Sequence, residues 1–148
     1  MSAIREAAPQ TYARHVIPVH AALDLGTNNC RMLIGTAQGD SFRVVDSFSR
    51  IVRLGEGLHH NGRLSEAAMD RAIEALHACA QRLARRPVKS IRAVATEACR
   101  QASNGAEFLA RVERETGLHF DIITARESLE DLVSHDRIPE RLNGQVKA

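Results

Sequence analysis

At 148 residues the chain is long enough for one domain with a substantial core and short for two. Its 44% hydrophobic and 26% charged content are ordinary for a globular protein, and a net charge of +2 argues neither for a nucleic-acid-binding surface nor for an acidic partner. No apolar run approaches the roughly 20 residues of a membrane helix, and the first residues lack the apolar segment of a secretory signal, so a cytoplasmic protein that does not engage membrane is expected.

Residues 1–18 carry Pro9 and Pro18 without periodicity and read as a loosely ordered leader. The fold is expected to begin at Val19. Three short runs rich in Val, Ile, Leu and Phe follow, at 19–25, 30–37 and 41–48, the last two joined by Gln38-Gly39-Asp40. This is the pattern of a three-stranded meander. The loop 24–29, Asp-Leu-Gly-Thr-Asn-Asn, stands at one end of it.

Ser65 followed by Glu66 opens a helix in which Met69, Ile73, Leu76, Ala80 and Leu83 recur at spacings of four and three until Arg85-Arg86-Pro87 ends it. A short strand is expected at 91–95, a helix at 104–115 closed by Gly117, and a fifth strand at 120–124. Three strands, then helix, strand, helix, strand, is the order of a ribonuclease-H-like α/β lobe with a five-stranded mixed sheet and flanking helices. Crossovers through helices make the first, fourth and fifth strands parallel. Their carboxyl ends, at Asp24, Thr96 and Thr124, then share the edge where open α/β sheets bind ligands.

The three cysteines, Cys30, Cys79 and Cys99, are odd in number and widely spaced, which favours buried thiols over disulfides or a zinc site. His59-His60, the only adjacent pair among seven histidines, reads as a solvated turn.

The loop Gly26, Thr27, Asn28 and Asn29 offers backbone N–H groups and small donors to an anion, and Asp24 beside it can hold a hydrated magnesium ion. Taken alone, a strand-ending turn with a capping aspartate explains the pattern about equally well. Arg100, just after the fourth strand, can clamp a phosphate or simply be a surface arginine. Glu127, after the fifth, can accept a proton from water or simply begin a helix.

Four segments in order, 21-AALDLGTNNCRMLI-34, 50-RIVRLGEGL-58, 94-VATEACRQASN-104 and 121-DIITARE-127, resemble the amino-terminal half of the exopolyphosphatase and guanosine pentaphosphate phosphohydrolase (Ppx/GppA) family, within the actin-like ATPase superfamily. The resemblance spans about residues 19–127. It implies hydrolysis of a terminal phosphoanhydride of polyphosphate or guanosine pentaphosphate. Asp24 would serve the magnesium and phosphate environment, Gly26 to Asn29 the first phosphate loop, Arg100 the phosphate, and Glu127 the attacking water. The resemblance also turns Arg53 toward the polyanion, although that arginine equally suits a structural loop.

After Glu127 the chain reads Ser128, Leu129, Glu130 and Asp131, departing from the family pattern, and 128–148 holds no second Asp-Gly-Gly-Gly-Ser loop. This implies a truncated, poorly active member with a divergent polar tail, and an apolar face left open to self-association. A non-catalytic module binding polyphosphate or nucleotide phosphates is the alternative, and a nuclease using Asp24 and Glu127 as metal ligands ranks below it.

Overall fold

The computed structural model describes residues 17–38 and 41–123. Five strands form one sheet: β1 (Val19–Leu25), β2 (Asn29–Gln38), β3 (Ser41–Ile51), β4 (Ser90–Ala95) and β5 (Asp121–Ile122). Four helices accompany them: α1 (Leu58–Asn61), α2 (Glu66–Ala84), α3 (Glu97–Gln101) and α4 (Gly105–Thr116). The strand order is β3-β2-β1-β4-β5. β1 is antiparallel to β2, and β2 to β3, whereas β4 runs parallel to both β1 and β5. The element order and the parallel first, fourth and fifth strands are those expected from the hydrophobic pattern.

Alternation along the strands divides the sheet into two faces. Ala21, Leu23 and Leu25 of β1, Cys30, Met32 and Ile34 of β2, and Ala93 and Ala95 of β4 point into a single core with the helices. Asp24, Arg31 and Val94 occupy the other face, since Asp24 pairs in register with both. The helices contribute Met69, Ile73, Leu76, Cys79 and Leu83 from α2, and Phe108, Leu109 and Val112 from α4. Burial of each such large side chain is worth about 1.5–3 kcal/mol.

Local chemistry sets the helix ends. The Ser65 hydroxyl accepts from the Ala68 N–H at 3.1 Å, capping α2. Gly117 closes α4 in the left-handed conformation, with φ 78°, and donates its N–H to Glu113 O. α3 and α4 meet tightly. A Cβ on Gly105 would fall 1.9 Å from the Cys99 carbonyl oxygen, so only glycine fits there.

Two strands, β3 and β5, depart from the sequence reading, and His59 and His60 are solvent-exposed as expected. β3 runs on to Ile51, three residues past its apolar stretch, because it remains hydrogen-bonded to β2 as far as Asn29. His59 and His60 lie in the single turn α1, bracketed by left-handed Gly57 and Gly62, and are exposed. β5 is only two residues long, Asp121 and Ile122. The expected turn at Gly39-Asp40, the strand end at Thr124, Glu127, the tail 128–148 and most of the leader lie outside the described residues. The three cysteines are free and buried, and burial pushes the Cys99 thiol up to about 12.

Candidate phosphate site at the strand tips

Residues 25–29 make a tight reversal between β1 and β2, closed by the Gly26 N–H donating to Asn29 O at 2.9 Å. That bond commits the Gly26 N–H to the turn. The N–H groups of Thr27 and Asn28 have no acceptor among the described residues, and two adjacent open donors form a seat for an anion. The carbonyls of the same loop face the other way. Asn28 O accepts from the N–H groups of Val52 and Arg53 at 2.8 and 3.0 Å, and Thr27 O accepts from Gly55 at 3.0 Å.

The segment 52–55 therefore holds the loop from behind, and the helical layer in turn holds the segment. Arg71 of α2 donates through Nε to Val52 O at 2.9 Å and through Nη2 to Arg53 O at 3.2 Å, and it pairs with Glu56. Arg53 itself has φ 48°, unusual for a residue with a side chain. Its backbone bonds at both N–H and C=O keep it in this conformation, and its side chain is exposed.

Asp24 sits one residue before the reversal, partly buried at the end of β1. Its Oδ1 is buried with no hydrogen-bond partner among the described residues. Its Oδ2 lies 3.8 Å from Arg31 Nη2, a loose and half-exposed pair. Burial raises the Asp24 carboxyl above the ordinary aspartate value of 3.8, and the nearby Arg31 charge only partly opposes this. An unpartnered, desolvated carboxylate oxygen is what a cation would satisfy. Among the described residues no group of three His, Cys, Asp or Glu side chains could share a metal ion. A magnesium ion held by one carboxylate, with water and substrate phosphate completing its shell, fits this donor set; a metal needing an all-protein cage does not.

The strand β4 brings up the third part. The Thr96 N–H donates to Leu25 O at 3.1 Å, joining the end of β4 to the end of β1 beside the reversal. α3 starts at once, and the Arg100 N–H donates to Thr96 O at 3.1 Å, so Arg100 stands one turn beyond the strand tip. Its side chain is exposed and pairs with no acid among the described residues. The structure thus gathers Asp24, Gly26, Thr27, Asn28, Asn29 and the helix carrying Arg100 at one sheet edge. Glu127 lies outside the described residues. Arg31 and Arg71 were not singled out from the sequence: strand register reveals the first, and nothing short of the packed helix reveals the second.

Comparison with known proteins identifies the family and the fold of the chain. The model of the Ppx/GppA phosphatase family matches residues 33–129. The chain is 38% identical over 113 residues to the guanosine-5'-triphosphate,3'-diphosphate pyrophosphatase of Aeromonas hydrophila, a match covering 76% of this chain and 23% of that protein. The enzyme of the same name from Vibrio cholerae is 36% identical over 110 residues, covering 74% and 22%. The crystal structure of the Aquifex aeolicus Ppx/GppA family member superposes with a TM-score of 0.71 at 34% identity, covering 74% of this chain and 36% of that one. An exopolyphosphatase from Cytophaga hutchinsonii gives 0.68 at 28% identity, covering 72% and 34%. The chain thus spans about a quarter of the length of these curated relatives and about a third of the solved structures. With the family model matched over residues 33–129, more than half of its length, the chain belongs to the Ppx/GppA phosphatase family.

Proposed function

We propose that this chain supplies the phosphate-holding lobe for hydrolysis of a terminal phosphoanhydride, in polyphosphate or in guanosine pentaphosphate. The observation that carries the reading is the buried, unpartnered Oδ1 of Asp24 beside the two open N–H groups of Thr27 and Asn28. A carboxylate beside an anion seat repels the ligand that the seat attracts unless a cation lies between them, and a magnesium-bound phosphate satisfies both.

In this reading the N–H groups of Thr27 and Asn28 bind non-bridging oxygens of the terminal phosphoryl group, and Arg100 swings in to neutralise its charge. Asp24 would hold the magnesium, which offsets charge on the phosphoanhydride when bound. Glu127 takes the proton of the attacking water. Water adds to phosphorus, the bridging P–O bond breaks, and orthophosphate leaves with a phosphate chain shortened by one unit.

The described residues place a single carboxylate at the site, and the match covers only 23% of the curated relative's length. We therefore expect residues 1–148 alone to bind the phosphate chain and turn it over poorly. Calorimetric titration of the chain with inorganic tripolyphosphate, with magnesium or with chelator, tests this. Saturable binding that requires magnesium is expected; its absence would remove the phosphate reading. A binding module without hydrolysis is the second reading, and phosphate release below background in the same samples would favour it.

A further inference from the structure

Gly26 is not required by its own backbone. Its φ is not in the left-handed region, where Gly57, Gly62 and Gly117 lie. A Cβ built on it would meet Asn29 O at 3.5 Å and Thr96 Oγ1 at 3.9 Å, both ordinary contacts. Alanine would fit the fold, so the open volume above the Gly26 Cα is space that the protein itself does not fill.

The roof of that space is the Thr96 side chain. The register pairs Leu25 with Ala95 and Asp24 with Val94, so alternation puts Thr96 on the face that carries Asp24. Its N–H is spent on Leu25 O and its C=O on Arg100 N–H, but its hydroxyl caps nothing, although it precedes α3 directly. Nor does the hydroxyl pair with any other described group. A threonine before a helix normally uses its oxygen on the N–H groups of the first turn. Here the hydroxyl is left beside the Gly26 gap, with Thr27 and Asn28 next to Gly26 in the chain.

We propose that the Thr96 hydroxyl is a substrate-binding group, donating a hydrogen bond to a non-bridging oxygen of the terminal phosphoryl group seated over Gly26. This rests on the phosphate reading of the site and adds a donor from a different strand. The ligand chemistry is that of a phosphoanhydride-linked terminal phosphate. Its source is an inorganic polyphosphate chain or a nucleotide pyrophosphate arm, and the two are separated by titrating with tripolyphosphate and with guanosine pentaphosphate.

The test compares Thr96→Val, which keeps the shape and removes the hydroxyl, with Thr96→Ser, which keeps the hydroxyl and removes the methyl. Each is titrated with tripolyphosphate and magnesium, and each is melted alone. A hydrogen bond to a charged oxygen predicts roughly tenfold weaker binding for Thr96→Val and an affinity within about twofold of wild type for Thr96→Ser. Wild-type affinity in Thr96→Val overturns the proposal. Equal losses in both variants also overturn it, because the methyl and not the hydroxyl would then matter. Should Thr96→Val melt early, the serine variant still decides, since strong weakening there contradicts a hydroxyl role. Failure of the wild-type chain to bind would sink the phosphate reading and this proposal together, whereas failure confined to these variants leaves that reading standing.

Discussion

Gly55 lies so close beneath Thr27 that a Cβ on it would fall 2.4 Å from the Thr27 methyl, while the Gly55 N–H donates to Thr27 O at 3.0 Å. The glycine is thus fixed by the loop 25–29 and not by its own torsion, as its φ is not left-handed. Gly55→Ala should cost about 1–3 kcal/mol and push the loop toward its open donors. Adding Thr27→Ser, which deletes the methyl, should restore much of that loss. Denaturant melts of both single variants and the double variant measure the coupling, and purely additive losses would show that the contact does not hold the loop.

Asp24 makes a signed prediction about pH. Its carboxyl is raised by burial, so the folded state holds the proton more tightly than the unfolded chain. The stability this contributes is present at low pH and is lost as pH rises from the ordinary value of 3.8 through the raised one. Asp24→Asn should flatten that part of the profile and melt higher than wild type at neutral pH. Magnesium should raise the melting temperature of the wild type and leave the variant unchanged. Thermal melts across pH, with and without magnesium, check both statements.

Asn104 ties the turn before α4 to the chain entering α2. Its buried side chain accepts from the Leu64 N–H at 2.8 Å and donates to Leu64 O at 3.1 Å. Asn104→Ala would leave both backbone groups buried and unpaired, at a cost of about 2–4 kcal/mol. Chemical denaturation should show this loss, and a variant as stable as wild type would mean that water or rearrangement replaces the amide.

The strands and the two long helices were legible because period and capping chemistry are written locally: Ser65 before α2 and Gly117 after α4 mark their ends without any tertiary information. The sheet edge that gathers Asp24 and Arg100 followed from the order of elements alone. What the sequence hid is non-local. Arg71 looks like any surface arginine of an amphipathic helix until its guanidinium is found on Val52 O and Arg53 O. The left-handed φ of Arg53 has no signal in a residue type that rarely adopts it, and it arises from the backbone bonds on either side. The commitment of the Gly26 N–H to Asn29 O, with the Thr27 and Asn28 N–H groups left open among the described residues, is a detail of turn geometry that composition does not specify.

The central claim is that the strand tips and Arg100 form a phosphate clamp that does not depend on Glu127, the residue proposed to activate water. It is tested most directly by titrating tripolyphosphate with magnesium into wild type, Arg100→Ala and Glu127→Gln side by side. The account predicts roughly tenfold or greater weakening for Arg100→Ala, near-wild-type affinity for Glu127→Gln, and unchanged melting temperatures, since Arg100 is exposed and unpaired among the described residues. Equal affinity in wild type and Arg100→Ala would contradict it.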